Sequence, residues 1–144
     1  MSKAIYTAQA TVTGGRAEGH GVTHDGALDV QLRPPVAGGA SEGTNPEQLF
    51  AVGYAACFES ALASVARRER IESLGDVSIE SQVSLFPTPE RGFKLGVSLD
   101  VRLPGVEDAG AAADLVRAAH QVCPYSAATR GNIEVTLTAN GEAL

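Results

Sequence analysis

Two thiols are the residues of this chain best suited to chemistry: Cys57 and Cys123, 66 positions apart in a sequence of 144. That interval rules out a CxxC redox pair, and two cysteines do not make a dense disulfide framework. In a reducing cytosol the plain expectation is two inert buried thiols, because burial penalises the thiolate. A reactive cysteine needs a cation nearby. An unperturbed thiol of pKa ~8.5 is only about 3% ionised at pH 7, so a neighbouring guanidinium raises the nucleophile concentration by about an order of magnitude or more. Arg16, directly after Gly14-Gly15, is a candidate for that cation, although an arginine at a turn is ordinarily a solvated surface residue.

The remaining constellations are weaker. His20 and His24 lie four apart, on one face of a strand, with no third or fourth ligand close in sequence, so no metal site is expected. His120, beside the Cys123 turn, would suit the base of a Cys-His hydrolase. A helix position facing solvent or its own C-terminal carbonyls is the better expectation for it. The run from Gly14 to Gly19 lacks the spacing and the βαβ context of a dinucleotide fingerprint, and no P-loop occurs. No cofactor is expected.

The elements that must position these groups follow from periodicity. Ala4 to Val12 alternates with period 2, Gly14-Gly15 allows a turn, and residues 16–24 complete a hairpin. Asp25-Gly26 signals a second turn before Leu28, Val30 and Leu32. In Asn45-Pro46-Glu47-Gln48, Asn fits a helix N-cap, Pro the first helical position and Gln the third position of a capping box. That helix runs to about Arg70 and is apolar almost all round from Leu49 to Phe58, which predicts burial of its first half on most sides. Cys57 lies in that stretch. Two alternating runs, Val77 to Leu85 and Phe93 to Leu103, predict a hairpin. A helix with inner positions Ala112, Leu115, Val116 and Ala119 follows, with Cys123 on the same inward face just before Pro124 ends it, and Ile133 to Leu137 forms a last strand. The order β-β-β-α-β-β-α-β is an α+β fold, with helices packed on antiparallel sheet.

Length and composition narrow the class. A chain of 144 residues is one domain by default, residues 1–144, able to bury roughly 70% of its unfolded surface. With 44% hydrophobic and 19% charged residues it is too apolar for disorder. A net charge of -6 opposes binding to nucleic acid or an anionic membrane. Leu49 to Ala66 is long enough to raise the question of a membrane span, but its Glu59, Ser60 and Ser64 favour a buried helix. The first fifteen residues have no continuous apolar core of the signal-peptide kind, so a cytoplasmic location is expected.

The segments G-T-N-P-E-Q-L-F-A-V-G-Y-A-A-C-F from Gly43 to Phe58 and A-H-Q-V-C-P-Y-S-A-A-T-R-G-N-I from Ala119 to Ile133 resemble the signature blocks of the organic hydroperoxide resistance proteins, the thiol peroxidase branch of the OsmC/Ohr family. The resemblance extends to V-T-G-G-R at Val12 to Arg16, D-G-x-L-D-V at Asp25 to Val30 and L-P-G at Leu103 to Gly105. Ala127 stands where that pattern has Asn, and His20 and His24 are not part of it.

Carried onto these positions, the resemblance implies that Cys57 is the peroxidatic and Cys123 the resolving cysteine, with Arg16 and Glu47 as polar partners of the first. From spacing alone Glu47 reads equally well as a first-turn carboxylate complementing the helix dipole. The resemblance further implies antiparallel sheets around a central buried helix and an intertwined homodimer with sites at the subunit interface. The implied reaction reduces alkyl and fatty acid hydroperoxides through a Cys57 sulfenic acid and a Cys57–Cys123 disulfide, reset by dihydrolipoamide or a lipoylated protein. Arg16 would favour the thiolate and Glu47 would hold its guanidinium through paired hydrogen bonds. An apolar pocket lined by Phe50, Tyr54 and Phe93 would select organic substrates, although each of these also fits ordinary core. The competing expectation is a peroxide-sensing or lipid-binding protein of the same fold without turnover. Glu47 precedes Cys57 by ten residues, about 15 Å on one helix. Sharing a site therefore requires either a break, for which Gly53 is the weak point, or a second subunit.

Overall fold

The computed structural model describes residues 2–144. The chain divides into two compact units, Met1–Leu49 and Phe50–Leu144. The first is a three-stranded antiparallel meander of β1 (Ala10–Thr13), β2 (Gly19–Thr23) and β3 (Asp29–Leu32), in that spatial order. The β1–β2 turn requires glycine at position 14, where φ is +76° and an added Cβ would stand 2.3 Å from the Glu18 carbonyl oxygen. Thr44 returns the chain to β3 through bonds with Gln31 and Arg33, setting up the start of α1 (Pro46–Arg68). As the sequence predicts, Asn45 caps that helix: its Oδ1 accepts the Gln48 N–H at 2.8 Å, and the Gln48 side chain accepts a bond from the Thr44 hydroxyl. Leu32 is the one buried hydrophobic residue of this unit among the described residues.

The second unit holds the core. β4 (Ser78–Pro87) and β5 (Phe93–Arg102) form a hairpin of two ten-residue strands, followed by α2 (Ala109–Val122), α3 (Pro124–Thr129), β6 (Val135–Ala139) and β7 (Glu142–Ala143). The sheet order is β4-β5-β6-β7. Alternate residues of β5 and its end, Val97, Leu99, Val101 and Leu103, face inward against Ala112, Leu115, Val116 and Ala119 of α2. Tyr54, Phe58, Ala61, Leu62 and Val65 of α1 belong to the same cluster. Asp108 caps α2 by accepting the Ala111 N–H at 2.7 Å. Leu99 is fully buried on a central strand, so Leu99→Ala is expected to lower stability by about 3 kcal/mol through lost apolar burial and a residual cavity. Urea unfolding would measure it, and a loss below about 1 kcal/mol would show that this cluster is not the packed core.

The α+β architecture matches the expected order with three differences. β6 runs parallel to β5, pairing Leu99 with Leu137, because the chain returns to the sheet through the α2–α3 crossover instead of a hairpin. Pro124, expected to stop a helix, also begins one, since proline suits a first helical position; this makes α3 a separate element. The two-residue strand β7 was too short to leave a periodic signal.

Contrary to expectation, the first half of α1 is not buried on most sides. Between Leu49 and Phe58 only Tyr54 and Phe58 are buried, and Val52 is 72% exposed; the heavier burial falls further on, at Ala61, Leu62, Val65 and Ala66. α1 is long and apolar enough to cross a membrane by length and composition. Its packing in the second unit's core accounts for that composition equally well.

Candidate functional site

Cys57 and Cys123, the two candidate redox residues, are brought together. The Cys123 Sγ lies 3.5 Å from the Cys57 Sγ, in contact but unbonded, whereas a disulfide needs about 2.05 Å. Cys57 is half-buried on α1 and Cys123 is fully buried. Cys123 occupies the junction of two helices, ending α2 and capping α3: its N–H donates to the Ala119 carbonyl at 2.9 Å and its own carbonyl accepts from Ala127 at 3.0 Å. A backbone bonded in both directions holds that sulfur in a defined place.

The environment of Cys57 does not by itself make a nucleophile. Burial pushes its thiol above the ordinary value, a hydrogen bond from the Tyr125 backbone opposes that, and the adjacent Cys123 adds to the upward shift. None of these influences is a cation. Tyr125 also packs its ring on Gly53, where a Cβ would stand 2.8 Å from the tyrosine hydroxyl. Gly53 is thus a site of close approach and not a break, for α1 is continuous across it.

Arg16 and Glu47 form the second pair. The Arg16 Nη2 donates to the Glu47 Oε1 at 2.7 Å, a single charge-assisted bond instead of the expected pair. The Gly14-Gly15 turn displays the arginine, and the first turn of α1 carries the carboxylate. Glu47 is largely covered, with 19% of its side chain exposed, while Arg16 remains half exposed at 52%. The carboxylate therefore tethers a guanidinium that can still meet a guest.

Of the three aromatic residues expected in a substrate pocket, Phe50 lines an open apolar cavity of about 440 Å³, together with Leu95, Pro124, Tyr125 and Ile133. Pro124 and Tyr125 directly follow Cys123, so this cavity adjoins the cysteine segment. Tyr54 is fully buried beneath it and Phe93 is 70% exposed at the start of β5; neither lines the cavity. The Phe50, Tyr54 and Tyr125 rings pack edge-to-face or tilted at centroid distances of 5.6–6.0 Å. His20 is engaged by Asp29 at 2.6 Å, and the His24 Nε2 lies 3.4 Å from the Thr11 hydroxyl.

Residues 38–138 match the family described as OsmC-like protein. The chain belongs to the OsmC-like family. Within it the chain groups with the organic hydroperoxide resistance proteins. It is 52% identical to the organic hydroperoxide resistance protein of Xanthomonas axonopodis pv. citri, over 94% of this chain and 95% of the relative. The solved structure of an organic hydroperoxide resistance protein from Legionella pneumophila superposes with a TM-score of 0.85 at 54% identity, covering 94% of this chain and 97% of that one. That of OhrB from Bacillus subtilis gives 0.84 at 50% identity, covering 93% and 98%. An OsmC-family chain of this branch has a role in organic hydroperoxide resistance and the response to oxidative stress.

Sequence reasoning missed one group of residues. His120 was expected to face solvent or its own helix carbonyls, but it is half-buried and its Nδ1 meets the Ser126 hydroxyl at 2.8 Å. That hydroxyl in turn meets the Tyr54 hydroxyl at 2.8 Å, deep in the core. The available signal was the symmetry of His120 and Ser126, each three residues from Cys123 across a proline-started turn.

Proposed function

We propose that this chain is a cofactor-free thiol peroxidase that reduces organic hydroperoxides to alcohols. The observation that supports it most is the contact of two free thiols at 3.5 Å within one chain of this family. The Cys57 thiolate attacks the terminal oxygen of ROOH; the O–O bond breaks, RO⁻ leaves and takes up a proton as ROH, and Cys57 becomes a sulfenic acid. Cys123 then displaces that oxygen as water and the disulfide forms. A dithiol, dihydrolipoamide or a lipoylated protein, returns both thiols by exchange. The apolar cavity beside Pro124 and Tyr125 suits an alkyl or acyl chain better than hydrogen peroxide. The reading places this reaction in the cytoplasm.

The working form in this proposal is an intertwined homodimer. Unit 1 buries little on its own, and a unit of that size rarely holds its fold without further burial or a staple. Val52 on the apolar stretch of α1 is a second surface suited to a partner. A second subunit can supply the Arg16–Glu47 pair as the cation that the surroundings of Cys57 lack.

A steady-state assay tests the reading. With dihydrolipoamide as reductant, cumene hydroperoxide is expected to turn over many times and faster than hydrogen peroxide, and thioredoxin should support less activity. Consumption of a single equivalent of peroxide, with no further turnover under any dithiol, would instead indicate a sensor.

A further inference from the structure

Three buried hydroxyls and one half-buried imidazole form a continuous chain around the Cys123 segment. Tyr54 and Ser126 are fully buried, and Thr129 nearly so. The contacts run from His120 Nδ1 to Ser126 Oγ at 2.8 Å, from Ser126 to the Tyr54 hydroxyl at 2.8 Å, and from Tyr54 to Thr129 Oγ1 at 3.2 Å. Thr129 donates to the Tyr125 carbonyl at 3.0 Å. Each hydroxyl has one proton to give. With the Thr129 proton on the carbonyl, Tyr54 must donate to Thr129 and Ser126 to Tyr54, so Ser126 can only accept from His120. All four contacts are bonds at once when His120 carries its proton on Nδ1. That arrangement serves the neutral and the charged ring alike, so the chain does not depend on His120 ionisation.

The placement of this relay matters more than its satisfaction. Tyr54 lies three residues before Cys57, His120 three before Cys123, and Ser126 three after it. Each anchor is therefore about one helical turn from a sulfur. A second tie crosses the same junction, from the Arg130 Nη1 to the His120 carbonyl at 2.8 Å. A buried network with every member satisfied holds its elements in a single arrangement.

We propose that His120, acting through Ser126 and Tyr54, is a positioning residue for disulfide formation. The relay fixes the α2–α3 junction to α1, so that Cys123 meets the Cys57 sulfenic acid before a second peroxide does. This rests on the peroxidase reading above. In the step it serves, the Cys123 sulfur gives up its proton and bonds to the Cys57 sulfur. The Cys57 S–O bond breaks, and the oxygen leaves with that proton and its own as water. Cys123 is oxidised and the sulfenic sulfur reduced to the disulfide level. Of the relay only Thr129 lines the apolar cavity; His120, Ser126 and Tyr54, through which the positioning runs, do not.

Reduced protein is mixed with one equivalent of cumene hydroperoxide. Peroxide loss is followed separately from disulfide formation, and Cys57 oxidation products are read by mass spectrometry. His120→Ala and Tyr54→Phe are expected to consume the first peroxide at the wild-type rate. Both should form the disulfide about tenfold more slowly, the scale on which misplacing reacting groups by less than 1 Å acts. Under excess peroxide both should accumulate Cys57 sulfinic acid. His120→Asn, whose amide N–H replaces Nδ1–H, is expected to restore the disulfide rate, a rescue that general loss of stability would not show. Tyr54→Phe removes only one oxygen and guards against a His120→Ala protein that fails to fold. Wild-type disulfide rates in both His120→Ala and Tyr54→Phe would overturn the positioning role, as would failure of His120→Asn to exceed His120→Ala. If the wild-type protein itself forms neither sulfenic acid nor disulfide, the peroxidase reading falls, and this role with it.

Discussion

Cys57→Ser is expected to lower organic hydroperoxide reduction by roughly 10⁴-fold or more, the loss seen when a covalent catalyst is deprived of its nucleophile. A serine hydroxyl is hardly ionised near neutral pH and cannot pass through a sulfenic acid, so both the attack and the step after it are lost. Cys123→Ser should behave differently. Its Cys57 still attacks, giving one equivalent of alcohol, but with no thiol at 3.5 Å the sulfenic acid persists and a second peroxide carries it to the sulfinic level. Intact mass after one and after ten equivalents of cumene hydroperoxide separates the two variants. The wild-type protein treated with one equivalent should lose both thiols and yield a bridge within one chain. A peptide map showing only bridges between subunits would defeat this scheme, and so would turnover by Cys57→Ser.

Asn45, Pro46 and Gln48 announce the start of α1 because capping is local: the groups that satisfy the first turn lie within three positions of it. The alternation in β5 and the spacing of Ala112, Leu115, Val116 and Ala119 reveal inward faces, since burial on one side is all that such patterns encode. The parallel pairing of β6 with β5 was not legible, because periodicity gives a strand's faces but not its direction. Nor was the fate of Tyr54. An aromatic residue in an apolar helical run reads as core or pocket, and only the arrival of Ser126, 72 positions later in sequence, turns its hydroxyl into part of a buried network. The exposure of Val52 shows the converse limit, for a run that is apolar on all sides signals how much surface is to be covered without saying which surface covers it.

Arg16→Ala is expected to reduce peroxide turnover by roughly 10²–10³-fold, as when one preorganised charge-stabilising donor is removed from an active site. The reason lies in the imbalance at Cys57, whose thiol is pushed upward by burial and by the adjacent Cys123 and eased by the Tyr125 backbone, none of these influences being a cation. In the proposed dimer the guanidinium corrects this by favouring the thiolate, which moves the alkylation profile of Cys57 to lower pH. Arg16→Ala should move it back to higher pH, and Arg16→Lys should retain part of the shift but lose activity, because an ammonium lacks the planar fork. Glu47→Gln should resemble a milder Arg16 variant, since the arginine would keep its charge while the bond that tethers it at 2.7 Å loses its carboxylate and weakens. Subunit mixing then decides where the cation comes from. A purified heterodimer of one Cys57→Ser chain and one Arg16→Ala chain contains, if the pairs meet across the interface, one site with both Cys57 and Arg16 intact and one with neither. Its activity should be about half that of the wild type, because a two-fold dimer has two equivalent sites. If Arg16 served the cysteine of its own chain, both sites would carry a defect and the mixture would be as inert as either parent. An inert heterodimer, or full activity in a verified monomer, would refute the shared site. An unchanged alkylation profile in Arg16→Ala would remove the arginine from thiolate stabilisation altogether.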